Sequence, residues 1–294
     1  MAQAKLALLC CAALLASSCG SCPVRPAPDG QYSMTWTKVR MAGERTGVTP
    51  VCGENFSAAL GTIDADGVYR SPNGLSFSCG STPAVAKALI DAQPSLSYLK
   101  EVIGHCPRAM GKSSKPLQGP LANWATDAIM QGVESVTGKK VDVGLINYGG
   151  IRVDMPEGDV LIDDIMSMFP FKNYLTWVQL SGADLRAMFE SMAESRLQAI
   201  GGCRLVVRGK ELVSIEVGGK PLDDKALYGL ATIDFLLDGG DGIKAARNAR
   251  QLIISDVKVN EWMLSYVRSL TAAGKDIEAS EDDRVTYLDE KEEK

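Results

Sequence analysis

INYGGIRVDMPEGDVLIDDIMSMFPFKN, Ile146 to Asn173, is the stretch on which the reading of this chain turns. An apolar run from Val141 to Ile146 alternates as a buried strand would, then breaks at Asn147 into Gly149 and Gly150 and presents Arg152. Two readings account for the break. A surface turn uses Asn147, Gly149 and Gly150 for their tolerance of left-handed backbone and leaves Arg152 solvated. A binding loop uses the same glycines to bring backbone close to a ligand, and Arg152 to grip an anion with its planar fork of donors. GDVLIDDI reads as a helix start, with Asp163 and Asp164 as acidic residues at the positive end of its dipole and not as metal ligands.

On either side of this stretch the periodicity is clear. Leu121, Trp124, Ala125, Ala128, Ile129 and Val133 recur at helical spacing, which predicts a helix from about Leu121 to Val136 with one buried face. Tyr174 to Leu180 reads as a strand, and Ser181 to Asp184 has capping-box spacing before a helix carrying Leu185, Met188, Phe189 and Met192. Arg204–Arg208 and Glu211–Val217 flank Gly209-Lys210, a two-residue hairpin turn. Leu227 to Ile233 is a further strand that runs into DFLLDGGDG, and a last amphipathic helix carries Trp262, Met263, Tyr266, Val267 and Leu270 before a charge-rich run that reads as solvated. Hairpins mixed with helices favour an α+β domain over a doubly wound sheet. Before Pro107 the pattern is irregular, with a turn at Ser71–Gly74 and a short helix predicted from Ala84 to Ala92.

The 294 residues are 46% hydrophobic and 23% charged, enough to bury a large core. A net charge of −5 argues against a nucleic acid polymer as partner, because duplex binding needs a basic face. Lys5, the apolar run Leu6–Leu15 and the small residues before Cys19 follow the order of an export signal too short to span a bilayer. Leu-Ala-Ser-Ser-Cys resembles the lipobox of bacterial lipoproteins, which makes Cys19 the expected lipidation site; the other reading is an ordinary cleaved signal. The resulting division is a leader over 1–18, a tether over 19–34, an irregular part over 35–90, the main domain over 91–288 and a charged tail over 289–294. Outside the inner membrane disulfides become possible, and Cys52 with Cys79 is a candidate bridge. Cys19 and Cys22 stand without the second pair that a zinc site needs.

NYGGIR, PFKN and DFLLDGGDG lie at three strand ends, and together they resemble the C-terminal, substrate-binding domain of the 5′-nucleotidase family. PLANWATDAIM and YGLATIDFL extend the likeness, from about Asp91 to Leu288. The resemblance implies a layered α/β/β/α domain. It also implies a nucleotide site in which Asn147, Gly149, Gly150 and Arg152 line the loop, Phe171 and Phe235 sandwich the base, and Asp241 accepts hydrogen bonds from ribose. Taken singly, each has a plainer reading: the two phenylalanines as core, the glycines and Asp241 as a tight turn. One departure stands out, since the family has a further arginine before the helix start where GKSSKPLQGPLANW offers only Lys112 and Lys115.

The family's hydrolysis belongs to a metallophosphatase domain whose paired metals activate water. Such a centre needs several histidines, and this sequence has one, His105, which reads as structural or solvated. The expectation is therefore a nucleotide-recognition component of a split nucleotidase. It needs no cofactor of its own and works with a separately encoded metallophosphatase that carries the divalent metals. A lipid anchor would hold it in the bacterial cell envelope, on the periplasmic or surface face. The alternatives are a lipoprotein that captures nucleosides or nucleotides without an enzymatic partner, and a scaffold that keeps the fold without the ligand site.

Overall fold

A computed structural model describes residues 61–71, 74–111, 119–280 and 282–289. The expected leader, tether and tail, together with Cys19, Cys22, Cys52, Lys112 and Lys115, lie outside them. The chain divides into two units, residues 1–100 and 101–294. In the first, β1 (Thr62–Ile63), β2 (Tyr69–Arg70) and β3 (Ser76–Phe77) form an antiparallel meander, followed by helix α1 (Ser81–Ala92). The Gly74 N–H donates to the Ser71 carbonyl across the predicted turn. The Tyr69 and Phe77 rings stack at 6.0 Å, and Cys79 is disulfide-bonded.

The second unit carries the functional segments. It runs β4 (Val102–Cys106), α2 (Pro120–Thr137), β5 (Val143–Ile146), β6 (Gly158–Leu161), α3 (Ile162–Met168), β7 (Tyr174–Ser181) and α4 (Gly182–Glu194). It continues through β8 (Ala199–Gly201), β9 (Cys203–Arg208), β10 (Glu211–Val217), β11 (Lys220–Pro221), β12 (Leu227–Ile233), β13 (Gln251–Lys258), α5 (Val259–Ala272) and β14 (Val285–Leu288). A five-stranded sheet has the order β13-β7-β12-β5-β8, in which only β12 and β5 run parallel; a four-stranded sheet has the order β11-β10-β9-β14. A short ladder joins β4 to β6. The mixture of hairpins and helices is α+β, as the sequence predicts.

Helix α2 covers β5, β7, β8 and β12. Its apolar stripe is what the spacing predicts: Leu121, Trp124, Ala125, Ala128, Ile129 and Val133 are all buried, and Pro120 opens the helix where an N–H would have no partner. Helix α5 docks on it through Trp262, whose indole N–H donates to the Ala128 carbonyl at 2.7 Å. Trp124 reaches from the same core to Phe169 and Tyr266, with both ring centroids 6.4 Å away. Helix α4 packs against both β7 and β10. Its first turn is capped as the spacing implies, with the Ser181 hydroxyl accepting from the Asp184 N–H.

The structure corrects two expectations. GDVLIDDI does not begin as helix: Gly158–Leu161 is strand β6, because it pairs with β4, and the helix starts at Ile162, with Asp163 and Asp164 in its first turn as the sequence reading has them. Asp164 then accepts from the Leu161 N–H at 2.7 Å, and burial holds its carboxyl above the usual range despite that bond. The charge-rich run after α5 is not simply solvated either. Arg284 is 4% exposed and donates to the Ile200 carbonyl, the Asp127 carboxylate and the Ser280 hydroxyl at 2.7–2.8 Å. That network delivers Val285–Leu288 to the edge of β9 as strand β14.

Candidate nucleotide site

Strand β5 is buried along its whole length, so the chain leaving it must turn before it reaches solvent. It turns through a single 3-10 turn at Tyr148–Gly150, closed by the Gly150 N–H donating to the Asn147 carbonyl at 2.9 Å. Buried Gln198 accepts from the Tyr148 N–H at 2.8 Å, and the Arg152 N–H donates to the Met168 carbonyl at the end of α3. The loop is thus tied at both ends.

Left-handed backbone is not what the glycines supply here. Neither Gly149 nor Gly150 has positive φ, and Asn147 is extended at φ −74°. Gly150 instead makes room for Asn147: a Cβ there would sit 2.8 Å from Asn147 Oδ1 and would push the amide from its present position. The absent side chain keeps the Asn147 amide seated against the turn.

The same loop meets the second segment directly. Arg152 donates to the Gly149 carbonyl at 3.1 Å and holds its guanidinium 5.8 Å from the centre of the Phe171 ring. Asn147, Gly150, Phe171 and Asn173 share a narrow hollow, floored by Ile146, Ile151 and Phe169, whose volume is about 30 Å³. That is far below the roughly 300 to 1,000 Å³ of a pocket that encloses a drug-sized ligand, so the hollow can seat only part of one.

The third segment arrives from β12. Asp234 accepts from both the Tyr174 and Phe235 N–H groups, at 3.0 and 2.9 Å, which ties the end of β12 to the start of β7. Phe235 lies over Gly240, where a Cβ would sit 2.8 Å from its ring. Asp241 adopts φ 47° at the tip of the turn, and its Oδ2 lies 3.9 Å from where a Gly149 Cβ would be. Phe171 and Phe235 are respectively 47% and 45% exposed, so neither is a core residue.

The site residues named from the sequence therefore fall into linked groups. Asn147, Gly150 and Phe171 share the hollow; Arg152 covers Phe171; Gly149 faces Asp241; Phe235 caps the turn that carries Asp241. Phe235 and Asp241 do not line the hollow itself. Three supporting residues escaped the sequence reading. Asn173 sits in the quoted PFKN and lines the hollow, Asp234 fastens two segments together, and Gln198, 2% exposed, anchors the loop from a strand edge 50 residues away. Asn173 alone carried a local signal, as a polar residue beside a strand start. His105 lies elsewhere in the sequence pattern, half exposed, with Nδ1 3.1 Å from Asp276.

Comparison with known proteins agrees with the motif reading. The family model described as "5′-nucleotidase, C-terminal domain" matches residues 102–248. Among curated proteins, an apyrase of Tabanus yao is 30% identical over 175 residues, covering 50% of this chain and 31% of its own. Protein UshA of Yersinia enterocolitica is 29% identical over 106 residues, or 34% and 19% of the two chains. The matches thus span less than a third of either relative's length. Among solved structures, a 5′-nucleotidase precursor from Thermus thermophilus aligns with a TM-score of 0.61 at 24% identity, covering 70% of this chain and 43% of the other. That likeness is one of fold.

Proposed function

The chain belongs to the 5′-nucleotidase C-terminal domain family, and on that premise we propose that it is the nucleotide-recognition component of a split 5′-nucleotidase. The observation that carries this reading is the pair of half-exposed rings, Phe171 sharing the hollow with Asn147 and Phe235 seated on the turn that carries Asp241, whose carboxylate lies near Gly149 of the loop. A planar base has two π-faces, and stacking contributes about 1 to 3 kcal/mol per base in single-strand binders. On this reading the base rests across the mouth of the hollow against Phe171, with Phe235 on its other face. Asn147 hydrogen-bonds a ring edge, Asp241 accepts from ribose hydroxyls, and Arg152 supplies positive charge towards phosphate.

Hydrolysis of the ester is then the work of paired divalent metals outside these residues, on a separate metallophosphatase. A centre of that kind draws on several histidines, whereas the one histidine of this sequence already faces Asp276. A lipid on Cys19 would place both proteins at one envelope surface, where shared anchoring raises their effective concentration. Mixing this protein with a metallophosphatase and following phosphate release from nucleoside monophosphates tests the proposal. A rate above that of the phosphatase alone supports it; an unchanged rate together with saturable nucleoside binding favours a capture lipoprotein instead.

A further inference from the structure

Between α4 and the turn that carries Asp241 lies a larger cleft of about 310 Å³. Its polar walls are Asp184 and Ser191 from the helix side and Asp241, Lys244, Arg247 and Asn248 from the turn. Met188, Met192 and Ile243 supply an apolar floor. The four charged groups are not equivalent. Asp184 is already engaged: Asn248 donates to its Oδ1 at 2.8 Å and the Ser181 hydroxyl donates to its other oxygen, bonds that hold its carboxyl below the usual range. Asp241 lines the cleft as well, with its Oδ2 3.9 Å from where a Gly149 Cβ would be. Among the described residues, neither Lys244 nor Arg247 has an ion-pair partner or a side-chain hydrogen bond.

We propose that this cleft is a second binding site, for a phosphate-class anion held by Lys244 and Arg247. The backbone brings the two cations together, since the Arg247 N–H donates to the Lys244 carbonyl in one turn. Arg247 offers a planar fork and Lys244 a point charge, the pairing that suits a tetrahedral dianion. Ser191 adds a hydroxyl donor from across the cleft. The volume exceeds what one phosphate fills, and the apolar floor accommodates the carbon frame of an ester, so inorganic phosphate and a phosphate monoester are the two sources of the same chemistry. The site does not depend on base recognition at Phe171 and Phe235.

Titration of the full chain with inorganic phosphate, ribose 5-phosphate and unphosphorylated ribose, followed by calorimetry and amide chemical shifts, tests this. Both phosphate ligands are expected to bind saturably and to shift Ser191 and Asn248, while ribose does neither. The K244M/R247M variant should lose at least about tenfold in the affinity read from the Ser191 and Asn248 shifts, on the usual strength of charge-assisted hydrogen bonds. Equal affinity for the two ligands makes the free anion the occupant; tighter binding of ribose 5-phosphate makes it a monoester, and either supports the site. Absence of saturable binding at millimolar phosphate, shifts confined to Asn147 and Arg152, or binding untouched in K244M/R247M overturns it. Because both cations are exposed, the variant should melt with the parent, and a charge-preserving Arg247→Lys should keep part of the affinity.

Discussion

Phe235 leaves nearly half its surface in water, two residues beyond a strand whose last five residues are all buried. A ring in that position contributes little to the core, so Phe235→Ala should leave the melting temperature nearly unchanged. If the ring stacks on a base, the same change should weaken nucleoside binding by about 1 to 3 kcal/mol, read by calorimetry; a collapse in stability would instead mark a packing role. Gly150 makes the complementary case. Gly150→Ala inserts a methyl 2.8 Å from Asn147 Oδ1, so the Asn147 amide has to shift from its place in the hollow. Nucleoside affinity should fall while the fold survives, with a stability cost of about 1 kcal/mol. Circular dichroism melts alongside the titration check both halves.

At the scale of elements, α2, β7, β12 and the β9–β10 hairpin were legible because each carries its own periodicity: a stripe at helical spacing, alternation, or a glycine-led turn. Strands β6, β8 and β14 were not. Each is four residues or fewer and exists because a partner fixes it from far along the chain, so a local pattern had nothing to reveal. Arg284 is the sharpest example, a charge in an acidic run that the fold buries against Asp127 and Ile200. Arg284→Met should cost about 2 to 3 kcal/mol in chemical denaturation, since it strips a buried carbonyl of its donor and releases β14. At the start of α4, Asp184 has its pKa lowered by Ser181 and then by Asn248. A carboxyl with a depressed folded pKa stabilises above its unfolded pKa and loses that contribution as pH falls through the folded one. Stability should therefore decline below roughly pH 4, and Asp184→Asn should remove part of that acid dependence in melts taken across the range.

For the molecule as a whole, the three motif segments could be named from the sequence because they occur in family order, but their mutual fit could not. It rests on Asp234 bridging β12 to β7, on Gln198 reaching the loop from a strand edge, and on Arg152 turning back over Phe171. The reason for the glycines also changed: close approach to Asn147 replaces left-handed backbone. The net charge of −5 is consistent with a small ligand and a surface that repels polyanions. The most direct measurement of the central claim is calorimetric titration of adenosine and adenosine monophosphate into the parent protein and into the F171A/F235A double variant. The account predicts saturable binding by the parent and its loss, at unchanged melting temperature, when both rings are removed. Equal binding by the two proteins, or none by the parent, would contradict it.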